Sequence, residues 1–222
     1  MAQTWPFSRK RHALLKIVDF LGRAAMAPLR RASKPALTPQ SIRRILVIEP
    51  WNIGDVVLAT PFLRALRKRY PSAEISLLAK PHARDLLYGS GLVDEIIAYD
   101  LPWTAQKNKY ALAPSVMKEM RKLIHCLRER HFDVTLDSRM DIRANFLAAM
   151  TGAPHRVGYD IGGGGWLLTD VLPSDRDDSH KIDDWLALLA LLGDSQGSSS
   201  REQHLPTLVV TEAERAIARR NI

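Results

Sequence analysis

The chain has 222 residues, 46% of them apolar, enough for one substantial α/β domain with terminal extensions. Its single cysteine, Cys126, excludes intramolecular disulfides and cysteine-rich zinc sites and fits a reducing, cytoplasmic environment. The formal charge of +8 is not spread evenly: residues 1–44 carry ten Lys/Arg against Asp19 alone, while the remainder is close to neutral, which argues against a nucleic-acid partner for the body of the protein.

The first pattern in chain order is amphipathic. At about 100° per residue, His12, Lys16, Asp19, Arg23 and Arg30 form one stripe, opposite Leu14, Ile17, Val18, Leu21 and Ala25. This predicts a basic helix over residues 9–28 lying on an anionic membrane surface. Lys16 and Asp19 interrupt the apolar stretch, so it is neither a transmembrane span nor a secretory signal. A helix docked on the domain and an Arg-rich organellar presequence are the alternatives. Pro35 and Pro39 then mark a linker over residues 33–40, which closes an arm spanning 1–40.

From Ser41, short apolar runs alternate with helical patterns. Strands are predicted near 44–49, 74–79, 95–99, 132–136 and 155–159, and helices near 55–69, 82–88, 115–130, 141–151 and 180–192. Such alternation predicts a Rossmann-like parallel sheet with helices on both faces, spanning 41–193. A polar loop at 194–200 and a helix from Thr211 complete residues 194–222.

In an open α/β sheet, ligands collect beyond the carboxyl ends of the strands, which places Asn52 to Asp55, just after the run Ile45–Ile48, at a candidate site. Gly54 permits a tight turn or a close ligand approach, and Asp55 either caps the following helix or presents its carboxylate to a ligand. That helix is expected to kink or restart at Thr60-Pro61. The loop matches neither G-x-G-x-x-G nor G-x-x-x-x-G-K-[ST]. Asp137, Arg139 and Arg143 follow the fourth strand at the same edge, and Arg143 is either a solvated helix-face charge or a bidentate anion ligand. Gly162–Gly165 reads as a flexible turn, and Asp175-Arg176-Asp177 as a solvated acidic loop. His180 is expected to cap a helix, with Leu186, Leu189 and Ala190 in the core.

The stretch from Arg44 to Pro61, RILVIEPWNIGDVVLATP, resembles the opening strand and loop of glycosyltransferase family 9, the lipopolysaccharide heptosyltransferases. Matching blocks continue in order at Phe62–Arg67, Tyr70-Pro71, Val93–Ile97, Phe132–Asp137, Gly152–Tyr159 and His180–Leu189, covering most of residues 43–193. The resemblance implies a two-domain enzyme with facing Rossmann-like lobes. The first lobe holds a lipopolysaccharide-core or related glycolipid acceptor; the second binds a nucleotide-sugar donor, typically ADP-heptose, with no cofactor and no metal at Asp175-Arg176-Asp177. It further implies that Asp55 is the catalytic base, that Asn52, Gly54, Asp137, Arg139 and Arg143 bind the acceptor, and that Met140 stands where many relatives have glycine. This chain would supply the acceptor lobe, peripheral at the cytoplasmic face of the membrane, and it ends where the donor lobe is expected to begin. The alternative is a truncated, non-catalytic module that binds a glycolipid or a separate donor lobe.

Overall fold

The computed structural model describes Gly22 and residues 41–104, 114–161, 163–172, 180–192, 205–210 and 212–220. Apart from Gly22, which is helical, the expected basic helix over 9–28 lies outside the described residues. So do the linker at 33–40, the Asp175–Asp177 loop and the polar loop at 194–200.

Six strands form one parallel sheet: β1 (Arg44–Glu49), β2 (Glu74–Ala79), β3 (Glu95–Ala98), β4 (Val134–Leu136), β5 (His155–Tyr159) and β6 (Asp170–Leu172). Their spatial order is β3-β2-β1-β4-β5-β6, the Rossmann arrangement, which reverses direction between β1 and β4. The helices are α1 (Ile53–Arg69), α2 (Ala83–Leu86), α3 (Pro114–Glu129), α4 (Ile142–Met150), α5 (Lys181–Ala187) and α6 (Glu212–Arg220). Because β1 is covered on both faces, its alternate residues enter two separate cores. Ile45 and Val47 pack with Phe62, Leu66, Trp185 and Leu188, whereas Leu46 and Ile48 pack with Leu123, Leu127 and Leu147. The Phe62 and Trp185 rings, 4.8 Å apart between centroids, fasten α1 to α5 under the sheet.

The sequence pattern and the structure part at four places. First, α1 starts at Ile53 with Asn52 as its N-cap and runs unbroken through Pro61. Proline removes the N–H that would have bonded the Val57 carbonyl, and the Thr60 hydroxyl donates to that same oxygen at 2.8 Å, so the helix continues without a restart. Second, Gly163 to Gly165, the described part of the glycine run, are buried and packed: Gly163 and Gly164 adopt φ of +85° and +78°, and a Cβ at Gly164 would lie 2.8 Å from Ile142 Cγ1. The buried Asn145 secures this turn, donating from Nδ2 to the carbonyls of Tyr159 and Gly163 at 3.1 and 3.0 Å. Third, the pattern misses β6. Fourth, the expected 180–192 helix is α5 followed by a 3₁₀ segment, Leu188–Leu192, which leaves Ala190 exposed instead of in the core. His180 does cap α5, its Nδ1 accepting from the Ile182 N–H. No described helix is long and apolar enough to cross a membrane.

Candidate functional site

The reversal of strand order leaves a crevice beyond the carboxyl ends of β1 and β4, and the two loops that leave those strands carry the charged residues. Asp55 occupies the third position of α1 and is not its N-cap. Its Oδ2 accepts the Asn52 backbone N–H at 3.1 Å, a reciprocal arrangement that ties the loop to the helix start. Its Oδ1 lies 3.1 Å from Arg139 Nη1, and both side chains remain about one-fifth exposed, so a ligand can reach the pair. Gly54 beside it is exposed, and a Cβ there would meet nothing within 4 Å. The turn therefore does not demand glycine; what the position offers is open space in front of the carboxylate.

Arg139 is held from three sides. Its guanidinium sits over the Trp51 ring, 4.6 Å from the centroid, and its backbone N–H donates to Asp137 Oδ1 at 3.0 Å. Its Nε lies 3.8 Å from Glu49 Oε1. Arg143 also lies over the Trp51 ring, 5.8 Å from the centroid, and is gripped by the Asp141 carboxylate, which also caps α4 by accepting the Arg143 N–H at 2.9 Å. Between the two arginines, Met140 adopts φ of +56°, a left-handed conformation that glycine takes without strain. Two guanidinium groups over one indole make a cationic patch at the crevice mouth.

Beneath this patch lies a layer that the sequence pattern did not single out. Glu49, the last residue of β1, is completely buried, and neither carboxylate oxygen has a hydrogen-bond partner. Burial pushes its carboxyl up to about 7; Arg139 and Lys181 pull it down, and Asp55 and Asp137 push it further up. Asp137 is also raised to about 7 by burial, against the pull of Lys181 and of the Arg139 N–H. Asp137 is 1% exposed and accepts the Arg139 N–H, which braces the loop. Lys181, at the start of α5, donates from Nζ to the Ser138 carbonyl at 2.7 Å, and burial lowers its ammonium from the usual lysine range. A clue to Glu49 was available: it follows Ile45 and Val47 at period two, on a face that is otherwise apolar. Nothing local marks Lys181.

The described residues contain no group of three His, Cys, Asp or Glu side chains placed to hold a metal ion. What the site offers is a reachable carboxylate and a cationic aromatic platform; beneath them Trp51 Nε1, Asp137 Oδ2 and Ser138 Oγ are buried without hydrogen-bond partners. Such a set suits an anionic ligand rich in hydroxyl groups, one of which can surrender a proton to Asp55.

Residues 120–220 match the model of glycosyltransferase family 9 (heptosyltransferase). Over 176 residues the chain is 30% identical to lipopolysaccharide heptosyltransferase 2 of Escherichia coli K12, covering 78% of this chain and 48% of that protein. The protein of the same name from Salmonella typhimurium LT2 is 28% identical over 177 residues, with the same coverage. Among solved structures, E. coli ADP-heptose lipopolysaccharide heptosyltransferase II aligns with a TM-score of 0.60 at 26% identity, over 80% of this chain and 50% of that one. The family 9 glycosyl transferase of Veillonella parvula shares the fold, with a TM-score of 0.61 at 23% identity over 84% and 49%. The chain thus spans about half the length of the relatives it matches. Sequence, fold and family model agree that it is a partial homologue of the heptosyltransferases of glycosyltransferase family 9.

Proposed function

We propose that the chain is the acceptor-binding lobe of a heptosyltransferase-type glycosyltransferase. The observation that supports this most directly is the placement of Asp55: reachable, at the strand-order reversal, and beside the two arginines stacked over Trp51. The acceptor is a lipopolysaccharide-core or related anionic glycolipid, whose phosphate or carboxylate engages Arg139 and Arg143. The donor, a nucleotide-diphosphate sugar such as ADP-heptose, binds a facing lobe, and the chemistry needs no cofactor. As the acceptor oxygen bonds to the anomeric carbon, the bond from that carbon to the diphosphate breaks, and the hydroxyl proton passes to Asp55. Arg139 must loosen its hold on Asp55 for this to happen, and an acceptor anion arriving over Trp51 supplies the competing charge. The basic 9–28 segment keeps the lobe at the cytoplasmic face of the membrane, where such an acceptor is presented.

Asp55→Asn tests the reading. Asparagine can still accept the Asn52 N–H, so the helix start survives while the proton acceptor is lost. With a donor-binding domain, ADP-heptose and a lipopolysaccharide-core acceptor supplied, turnover should fall at least about a hundredfold, within the usual range for a general base, with little change in melting temperature. Retained turnover with a lowered melting temperature would reduce Asp55 to a helix-start residue. Acceptor binding by the unaltered chain without any turnover would favour a glycolipid-binding module instead.

A further inference from the structure

Glu49 stands out because the fold has reason to exclude it. It follows Ile45 and Val47 on a face of β1 packed against α1 and α5, where an apolar side chain would complete the layer. A carboxylate there has no exposure and no hydrogen bond, an expensive arrangement. Local rules tend to break in this way where a site requires it.

Four charged groups from three directions face Glu49: Asp55 from α1, Asp137 and Arg139 from the β4–α4 loop, and Lys181 from α5. Lys181, whose Nζ donates to the Ser138 carbonyl, and Arg139 both attract it, whereas Asp55 and Asp137 repel. Arg139 is the cation that it shares with Asp55. Its guanidinium lies between two carboxylates, with Nη1 3.1 Å from Asp55 and Nε 3.8 Å from Glu49. A shift of about 1 Å would bring the Glu49 contact into hydrogen-bond range. We propose that Glu49 is a positioning residue that competes with Asp55 for Arg139, giving the guanidinium a second place to rest when Asp55 takes up the acceptor proton. The inference rests on the reading of Asp55 as that proton acceptor. As Asp55 becomes neutral its hold on Arg139 lapses, and the charge is taken over by a carboxylate already in place, with no solvent rearrangement in between. Without Glu49 the guanidinium loses one of the two carboxylates it lies between, and only the acceptor's anion is left to draw it from the base.

The coupling can be read without any turnover, by a ¹³C-carboxyl NMR titration of the full 222-residue chain. Glu49 should titrate near 7 in the unaltered protein. In Asp55→Asn its midpoint should fall by about one pH unit, because a repelling charge goes and Arg139 is released to it. In Arg139→Met it should rise. In that second background the effect of Asp55→Asn should shrink to less than half. A midpoint that ignores both substitutions overturns the proposal, and so does an undiminished Asp55→Asn shift in the Arg139→Met background, which would reduce the coupling to direct repulsion. In the turnover assay, Glu49→Gln should lower kcat a few-fold to about tenfold while leaving the acceptor KM nearly unchanged. An unchanged kcat would mark Glu49 as merely buried. Should Asp55→Asn itself retain turnover, the assignment of the base fails, and the titration still reports whether Glu49, Arg139 and Asp55 are coupled.

Discussion

Glu49 and Asp137 both carry carboxyls that burial raises to about 7, so the folded chain holds protons that the unfolded chain releases above about pH 4. More protons on the native state means that stability from these groups is greatest at low pH and falls as pH rises through about 7. The slope is at most about 1.4 kcal/mol per pH unit for each group, and because the two repel each other they titrate as a pair. Asp94 and Glu95 act in the opposite sense. Burial works against Asp94, but the Ile75 N–H and Arg67 outweigh it; Arg130 holds Glu95 down. Their contribution is present above the usual carboxylate range and is lost only as pH falls below it. The melting temperature should therefore rise between pH 8 and pH 5.5, and the double variant Glu49→Gln, Asp137→Asn should flatten that rise. A melting temperature that climbs with pH across this window in the unaltered chain would contradict the assignment. Asp55 and Arg139 stood out as candidates in the sequence because each lies within a few residues of the carboxyl end of an apolar strand, where crevice residues belong. Glu49 was not, because an acid that closes an apolar run looks like the strand's polar end. Only the packing of α5, more than 130 residues later, shows that this end is sealed.

Among the secondary-structure elements, α1 carries the site and contains its own weak point. Pro61 leaves the Val57 carbonyl without its helical donor, and the buried Thr60 hydroxyl supplies one; Thr60 Oγ1 in turn accepts the Thr207 N–H at 3.4 Å from the 205–210 segment. Thr60→Val keeps the shape but removes this donor and acceptor. It should cost about 1–2 kcal/mol in chemical denaturation, the usual penalty for a buried polar group left unpaired, whereas Thr60→Ser should recover most of the loss. Equal stability of the valine and serine variants would show that the hydroxyl contributes nothing. A restart at Thr60-Pro61, expected as the alternative to a kink, was a natural reading, since the dipeptide matches a cap followed by a first-turn proline. Tertiary burial of Val56 and Ala59 before the join and of Phe62, Leu63 and Leu66 after it overrides it. Strands β1 and β2 were legible from their apolar centres, Ile45–Ile48 and Ile75–Ala79. The three-residue, half-buried edge strand β6 has neither the length nor the alternation to announce itself.

At the scale of the whole molecule, charge and chemistry are segregated along the chain. The excess of Lys and Arg lies before residue 45, whereas the proposed acceptor site is assembled from residues 49 to 181 of a nearly neutral body. The body has no surplus of positive charge to draw it to an anionic surface, so on the proposed reading recruitment falls to the 9–28 segment. Such a segment attracts through two forces that separate experimentally. The attraction of Lys16, Arg23 and Arg30 to anionic headgroups is screened by salt, while insertion of Leu14, Ile17, Val18 and Leu21 is not. Raising salt from about 0.1 to 1 M shortens the Debye length from about 10 to about 3 Å, and vesicle binding of the 222-residue chain should weaken over that range without vanishing. Lys16, Arg23 and Arg30 all replaced by Glu should abolish binding to anionic vesicles at low salt, because the reversed charges are repelled before any apolar contact forms. Uncharged vesicles provide the comparison: there the unaltered chain should bind weakly and with little dependence on salt. If the triple variant co-sediments with anionic vesicles as well as the unaltered chain does, the basic stripe is not what brings the protein to the membrane, and the near-neutral Rossmann-like body would have to do so by contacts its charge does not foreshadow.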